Sequence, residues 1–319
     1  MVPSRMDPWL SAPEFWFSPL ALALLGLCVG SFLNVVAHRL PKMLERAWWL
    51  DVAEHQLGDA DAWRRVSGQD TPPPGAFAQA AQAISTALQA LPALGLARPR
   101  SRCPHCGHVL RWHENLPLLG WLRLGGRCAA CKAPISKRYP LVEACTGLLF
   151  AACGWKFGAQ PTTLVWCAAV ALMVAMALID LDTTYLPDDL TLPLLGLGLF
   201  GAGMGWTGTT LEAAAWGALA GYGSLWLLAF SYKKLRGVEG MGEGDFKLLA
   251  GLGALLGWQL LPSIVLLASA VGALVGIGLI AFGGHRREVP IPFGPYLVGG
   301  GIAAMFFGQT LTRIWLPLA

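Results

Sequence analysis

Charge is what this chain has least of. Asp, Glu, Lys and Arg make up 13% of its 319 residues, against 55% hydrophobic residues, and mean hydropathy is +0.53. So little charge argues against a soluble enzyme. Together with 39 glycines it points to a polytopic membrane protein. Nor does the N-terminus read as a convincing cleaved signal peptide. Arg5 is the only basic residue ahead of the first apolar run, no small-residue cleavage site follows, and the run ends in His38-Arg39. Leu20 to Ala37 is therefore expected as a retained transmembrane helix. Two fingerprints are also absent. There is no Rossmann-type glycine pattern, so no dinucleotide-like cofactor site can be derived, and no RNA- or DNA-binding motif accompanies the basic residues.

What is present is a series of eight apolar segments, at about 16–37, 141–159, 162–180, 188–206, 211–231, 247–261, 263–283 and 293–316. The boundary between the sixth and seventh is marked only by Pro262. Alternating these segments across a bilayer gathers 20 of the 23 Lys and Arg on one side, in 38–140, 181–187, 232–247 and 284–292. Arg5, Lys156 and Arg313 are left on the other. The excess of positive charge predicts that the basic side is cytoplasmic and the N-terminus external. Trp16, Trp155, Trp206, Trp258 and Trp315 lie at the ends of apolar runs, where interfacial belts favour them.

The one large polar piece is 38–140. Its first part, 44–98, reads as helical and then Ala- and Gln-rich, with a break at Pro72 to Gly75. No chemistry is assigned to it. Met43 to Leu57 suits a linker helix better than one lying on the membrane. The second part, 99–140, carries Cys103-Pro-His-Cys106 and Cys128-Ala-Ala-Cys131. Each pair brings two sulfurs to a tight turn, and four thiolates suit a closed, structural Zn²⁺ site. Disulfides are the alternative, but the topology puts these thiols in a reducing compartment. His105 and His108 flank the first pair and are not needed as ligands. Cys28, Cys145, Cys153 and Cys167 lie inside apolar segments and read as small packing residues.

Acids at apolar boundaries form two groups: Asp180, Asp182, Asp188 and Asp189, and Glu239, Glu243 and Asp245. The alternation puts both groups on the same side. Two such carboxylates suit a water-activating dyad, in which one stays ionised to take a proton from water and the other stays protonated to polarise the scissile carbonyl. Asp180 closes an apolar run and Asp245 opens one, within Gly240-Met-Gly-Glu-Gly-Asp-Phe-Lys247. Helix-end polarity predicts that the resting proton lies mainly on Asp180. Asp182 is expected to be solvated or to cap the next turn, and Asp188 and Asp189 to serve as N-terminal helix charges. The glycines around Gly242 and Gly244 would let backbone approach an extended peptide.

Five ordered blocks carry a family resemblance. They are GSFLNVVAHRLP (Gly30 to Pro41), the cysteine block from Arg100 to Glu143, IDLDTTYLPDDLTLPLL (Ile179 to Leu195), GMGEGDFKLLAGLGALLGW (Gly240 to Trp258) and IPFGPYLVGGG (Ile291 to Gly301). The chain resembles the bacterial type IV prepilin peptidases, GxGD-type membrane aspartyl proteases. The resemblance covers nearly the whole chain, with 44–98 matching poorly. It implies catalysis by Asp180, seven residues before Pro187, and by Asp245 of the GxGD. It also implies Cys103, Cys106, Cys128 and Cys131 as the metal-binding four.

By the same resemblance, the substrates are prepilins of type IV pili or pseudopilins of type II secretion, each a basic leader ahead of an apolar helix. The new N-terminus would be methylated from S-adenosylmethionine, with Gly30–Pro41 and Arg100–Glu143 as the places to look for that chemistry. The expected fold is an all-α, multi-pass inner-membrane protein with about eight transmembrane helices and a small cytoplasmic zinc-binding domain. Its parts would be a first helix in 1–40, a linker in 41–98, the cysteine domain in 99–140 and the peptidase in 141–319. Lipid and the substrate helix are the expected partners, and nucleic acid is not. Two other readings stay open: a peptidase without methylation, and an ion- or proton-coupled transporter using Asp180 and Asp245 as ligands. No inverted repeat supports the transporter.

Overall fold

A computed structural model of the chain describes residues 13–57, 59–68, 74–238, 240–282 and 291–315. Arg5, Pro72, Pro73, Glu239 and most of the basic 284–292 loop lie outside these residues, as does the Trp315 side chain. The elements in chain order are α1 (Pro13–Trp16), α2 (Pro19–Asp51), a π turn at Val52–Leu57, α3 (Ala60–Ser67), α4 (Gly75–Gln89), α5 (Leu119–Arg123), α6 (Arg138–Phe157), α7 (Thr163–Thr183), α8 (Asp188–Gly203), α9 (Leu211–Arg236), α10 (Glu243–Leu256), α11 (Leu261–Phe282) and α12 (Gly294–Trp315). No strand occurs among the described residues, only isolated bridges at Arg102–Val109 and Arg127–Pro134.

All eight apolar segments are helical. Among the described residues, four stretches are long and apolar enough to cross a bilayer: Pro19–His55, Thr163–Thr183, Leu211–Arg236 and Trp258–Phe282. The shortest of the others, α10, has 14 residues, or about 21 Å, less than a hydrocarbon core of about 30 Å. Helix α2 runs well past the expected end at Ala37, because Pro41 inside it removes one backbone donor without stopping it. The expected boundary at Pro262 falls instead at Gly257, where φ is +87°. Pro262 sits in the first turn of α11, which has no use for its missing N–H.

The chain divides into two compact units, Met1–Asn34 with Arg111–Ala319, and Val35–Leu110. In the smaller unit, Arg39 donates to the carbonyls of Gly95 (2.9 Å) and Leu96 (3.3 Å), and Arg46 donates to that of Pro92 (3.0 Å). These two arginines tie the chain after α4 to the extension of α2. Trp63 of α3 meets Phe77 of α4 edge to face.

In the larger unit, α10 is the innermost helix. Every residue from Asp245 to Leu255 except Lys247 is buried. It packs against α8, α9 and α12. The reason is small side chains. A Cβ at Gly217 of α9 would run into the backbone of Gly253 of α10, and the reverse holds as well. Only glycine permits that approach, the usual device for helix packing where the surroundings are apolar. Leu248, Leu249, Leu252 and Leu255 fill the space around α10 with Leu194, Ile264 and Leu297. Among the other cysteines, Cys153 and Cys167 are buried as expected of packing residues, while Cys28 and Cys145 lie on exposed helix faces. Trp16, Trp155, Trp206 and Trp258 are all exposed.

Candidate active site and cysteine cluster

Asp180 sits in the last turn of α7 and is 4% exposed. Its carbonyl accepts from Thr184 N–H at 2.8 Å, which closes the helix with Thr184 at φ +52°. Its Oδ2 accepts from the backbone N–H of Gly294, the first residue of α12, at 2.9 Å. A Cβ at Gly294 would crowd that same oxygen and the Leu186 side chain. A backbone donor stabilises an ionised carboxylate, so here it works against the helix-end field that sequence reasoning relied on.

Asp245 lies in the first turn of α10, with Gly242 as the N-cap. It is 9% exposed, and its Oδ1 is buried without a hydrogen-bond partner. Leu186, in the loop between α7 and α8, touches both sides of the site. It lies against Gly294, and a Cβ at Gly244 would collide with it. Gly244 therefore allows the start of α10 to close on the loop that follows Asp180, while Gly242 faces open space. Two buried acids, 65 positions apart in the chain, thus flank the same loop residue, Leu186.

The neighbouring acids have partners that sequence reasoning missed. Asp182 accepts from both terminal nitrogens of Arg138 at 2.6 and 2.8 Å, and Arg138 also donates to the Leu178 carbonyl at 3.3 Å. Asp188 receives the Lys247 ammonium on both oxygens, at 2.7 and 2.8 Å. Their partners lie 44 and 59 residues away, beyond any local pattern. Gly294 escaped notice for the same reason, although its IPFGPY stretch stood out.

The four sulfurs of Cys103, Cys106, Cys128 and Cys131 lie within 4.8 Å of one another. Tetrahedral zinc with Zn–S of about 2.3 Å puts sulfurs roughly 3.8 Å apart, so this donor set fits the ion. The two turns follow one pattern. Cys103 N–H donates to His108 and Cys128 N–H to Ala133, while the carbonyls of Cys103 and Cys128 accept from Gly107 and Lys132. Gly107 has φ +71° and Lys132 has φ +60°. Elsewhere, Gly30 of α2 packs on Glu143 of α6, whose buried carboxylate accepts from Leu118 N–H at 2.8 Å. Asn34 donates to the Tyr139 carbonyl at 3.4 Å. The two blocks singled out for methylation therefore meet at α2 and α6.

Comparison with known proteins follows the same division. Residues 24–157 match the model of the bacterial peptidase A24 N-terminal domain, and residues 167–277 match that of the type IV leader peptidase family. Among curated proteins, the chain is 46% identical to a prepilin leader peptidase/N-methyltransferase of Burkholderia pseudomallei, over 91% of this chain and 85% of that one. It is 46% identical to one of Aeromonas hydrophila, over 97% and 95%, and 45% identical to one of Pseudomonas aeruginosa, over 94% of each. No solved structure matches. Two family models in the right order, with relatives this similar along almost the whole length, mean that the chain belongs to the type IV leader peptidase family.

Proposed function

We propose that this protein cleaves the leader from prepilins or pseudopilins and methylates the new N-terminal residue. The observation that supports the peptidase half is the burial of two carboxyl groups, Asp180 and Asp245, on elements that both close on Leu186. Two close carboxyls cannot both ionise at low cost, so the pair holds one proton between them. The ionised member takes a proton from water as it attacks the scissile carbonyl. The protonated member donates to the carbonyl oxygen, and as the tetrahedral intermediate collapses and the C–N bond breaks, the proton taken from water passes to the leaving amine. Relatives named for both activities support the methylating half. S-adenosylmethionine is consumed there as the methyl donor.

The eight apolar helices form eight passes in this reading. The basic loops, the cysteine domain and the aspartates then face the cytoplasm, and the protein lies in the inner membrane. The short helix α10 completes the count because neighbouring helices enclose it, and α8 packs along it. The four cysteines hold a structural zinc, which would fix the two turns relative to each other and take no part in hydrolysis. Gly242, open at the N-terminus of α10, offers backbone to an extended peptide.

The test uses purified full-length protein, a prepilin and labelled S-adenosylmethionine. The expected result is a shortened pilin carrying label from the wild type, and none shortened by Asp180→Asn or Asp245→Asn. Normal cleavage by either variant rejects the dyad. Cleavage without label transfer rejects the methylating half.

A further inference from the structure

We infer that two ion pairs on the outer sides of α7 and α10, Arg138–Asp182 and Lys247–Asp188, are positioning devices for Asp180 and Asp245. This rests on the dyad proposed above. Each buried aspartate has a charged residue two positions further along its helix, Asp182 after Asp180 and Lys247 after Asp245. Two positions on an α-helix turn through about 200°. The charged residue therefore points away from the site when the aspartate points into it. Burial agrees. Asp180 and Asp245 are 4% and 9% exposed, whereas the Asp182 and Lys247 side chains are 38% and 26% exposed.

Each pair engages both oxygens of its aspartate, Arg138 through two nitrogens and Lys247 through one, and each fastens its helix to a different element. Arg138, the first residue of α6, grips Asp182 and the Leu178 carbonyl, so it holds the last turn of α7 on both sides of Asp180. Lys247 grips Asp188, the first residue of α8, and so draws the first turn of α10 to the loop that leaves Asp180. That loop carries Leu186, which packs against Gly244 and Gly294. One pair thus sets the height and rotation of Asp180, and the other sets the approach of Asp245 towards it. Half-exposed ion pairs add little to stability. The Arg138 fork fixes orientation, the Lys247 ammonium fixes distance as a point charge, and catalysis is sensitive to misplacement on the scale of an ångström.

The test is steady-state cleavage of a prepilin by purified full-length Arg138→Ala, Asp182→Ala and Lys247→Ala. It includes the exchanges Arg138→Asp with Asp182→Arg and Asp188→Lys with Lys247→Asp. Single variants are expected to lower kcat about 10- to 100-fold with KM within about twofold, and each exchange to recover most of the loss. Arg138→Lys, which keeps the charge but not the fork, is expected to fall between the wild type and Arg138→Ala, and it serves where Arg138→Ala does not fold. Single variants with wild-type kcat, or losses that the exchanges leave unrepaired, overturn the inference. Asp180→Asn and Asp245→Asn run alongside. If they cleave normally, the dyad itself fails. If they are inactive while the ion-pair variants cleave normally, only the positioning role fails.

Discussion

The two cysteine turns repeat one another bond for bond, whereas the two aspartates share little beyond burial. Cys103 and Cys128 each donate five residues ahead and accept from four residues ahead. Asp180 ends a helix of 21 residues and holds a backbone donor from α12. Asp245 begins a helix of 14 residues, and one of its oxygens has no partner. A metal site with four like ligands can be built twice from one local recipe. A dyad that must keep two carboxyls unequal needs two different surroundings, supplied by distant parts of the chain. Removing a piece of the aspartate site should therefore strike the chemistry, and removing a piece of the cysteine site should strike stability.

The largest effect is expected at the carboxyls. Asp180→Asn or Asp245→Asn should reduce leader cleavage by more than about 1,000-fold, as loss of acid–base chemistry does. Methyl transfer to an already shortened pilin should persist in the same sample, as read by label incorporation. Next is Gly294→Ala, whose added carbon presses on Asp180 Oδ2 and Leu186. A kcat about 100-fold below wild type with KM little changed is expected, by the same sensitivity to position. On the other side of the comparison, Cys103→Ser should release zinc, measured by elemental analysis, and lower Tm. Its kcat at low temperature should change less than tenfold. A loss as large as that of the aspartate variants would erase the contrast between the sites.

The smallest effect lies inside the cysteine turns. Lys132 holds a left-handed backbone that glycine holds at Gly107. Lys132→Gly should therefore stabilise the domain by about 0.5–1 kcal/mol, and Gly107→Ala should destabilise it by about 1 kcal/mol. Denaturant midpoints of the zinc-loaded protein would show both shifts. Equal effects of the same sign would break the likeness of the two turns.

Much of this was legible in the chain because the signals were local. Two Cys-x-x-Cys pairs announce a four-sulfur cluster at a glance. Every apolar segment became a helix, since length and hydropathy are properties of the segment itself. Asp180 was preferred to Asp182 through its place at the end of an apolar run and, by the family resemblance, seven residues before Pro187; burial of the first and exposure of the second are compatible with that choice. The partners were not legible. Arg138, Lys247 and Gly294 act across the bundle, and nothing beside them in sequence names Asp182, Asp188 or Asp180. Hydropathy could not foresee how deeply α10 is enclosed, because that depends on Gly217 meeting Gly253. The extension of α2 beyond Ala37 was hidden because the apolar run stops at His38-Arg39, whereas the backbone ladder of the helix continues through polar residues.

The enclosure of α10 bears on how the protein is made. At about 21 Å, this helix is too short to settle across a bilayer by itself, and its neighbours α8 and α9 are synthesised before it. Helix α12 is synthesised after it, and its first residue brings Asp180 its backbone donor. A ribosome that has delivered both aspartates has therefore not yet delivered the Gly294 amide. With the dyad proposed above, the order of synthesis leaves Asp180 without its Gly294 donor until the last helix joins the bundle, so a half-made chain in a membrane full of apolar helices would lack the finished site.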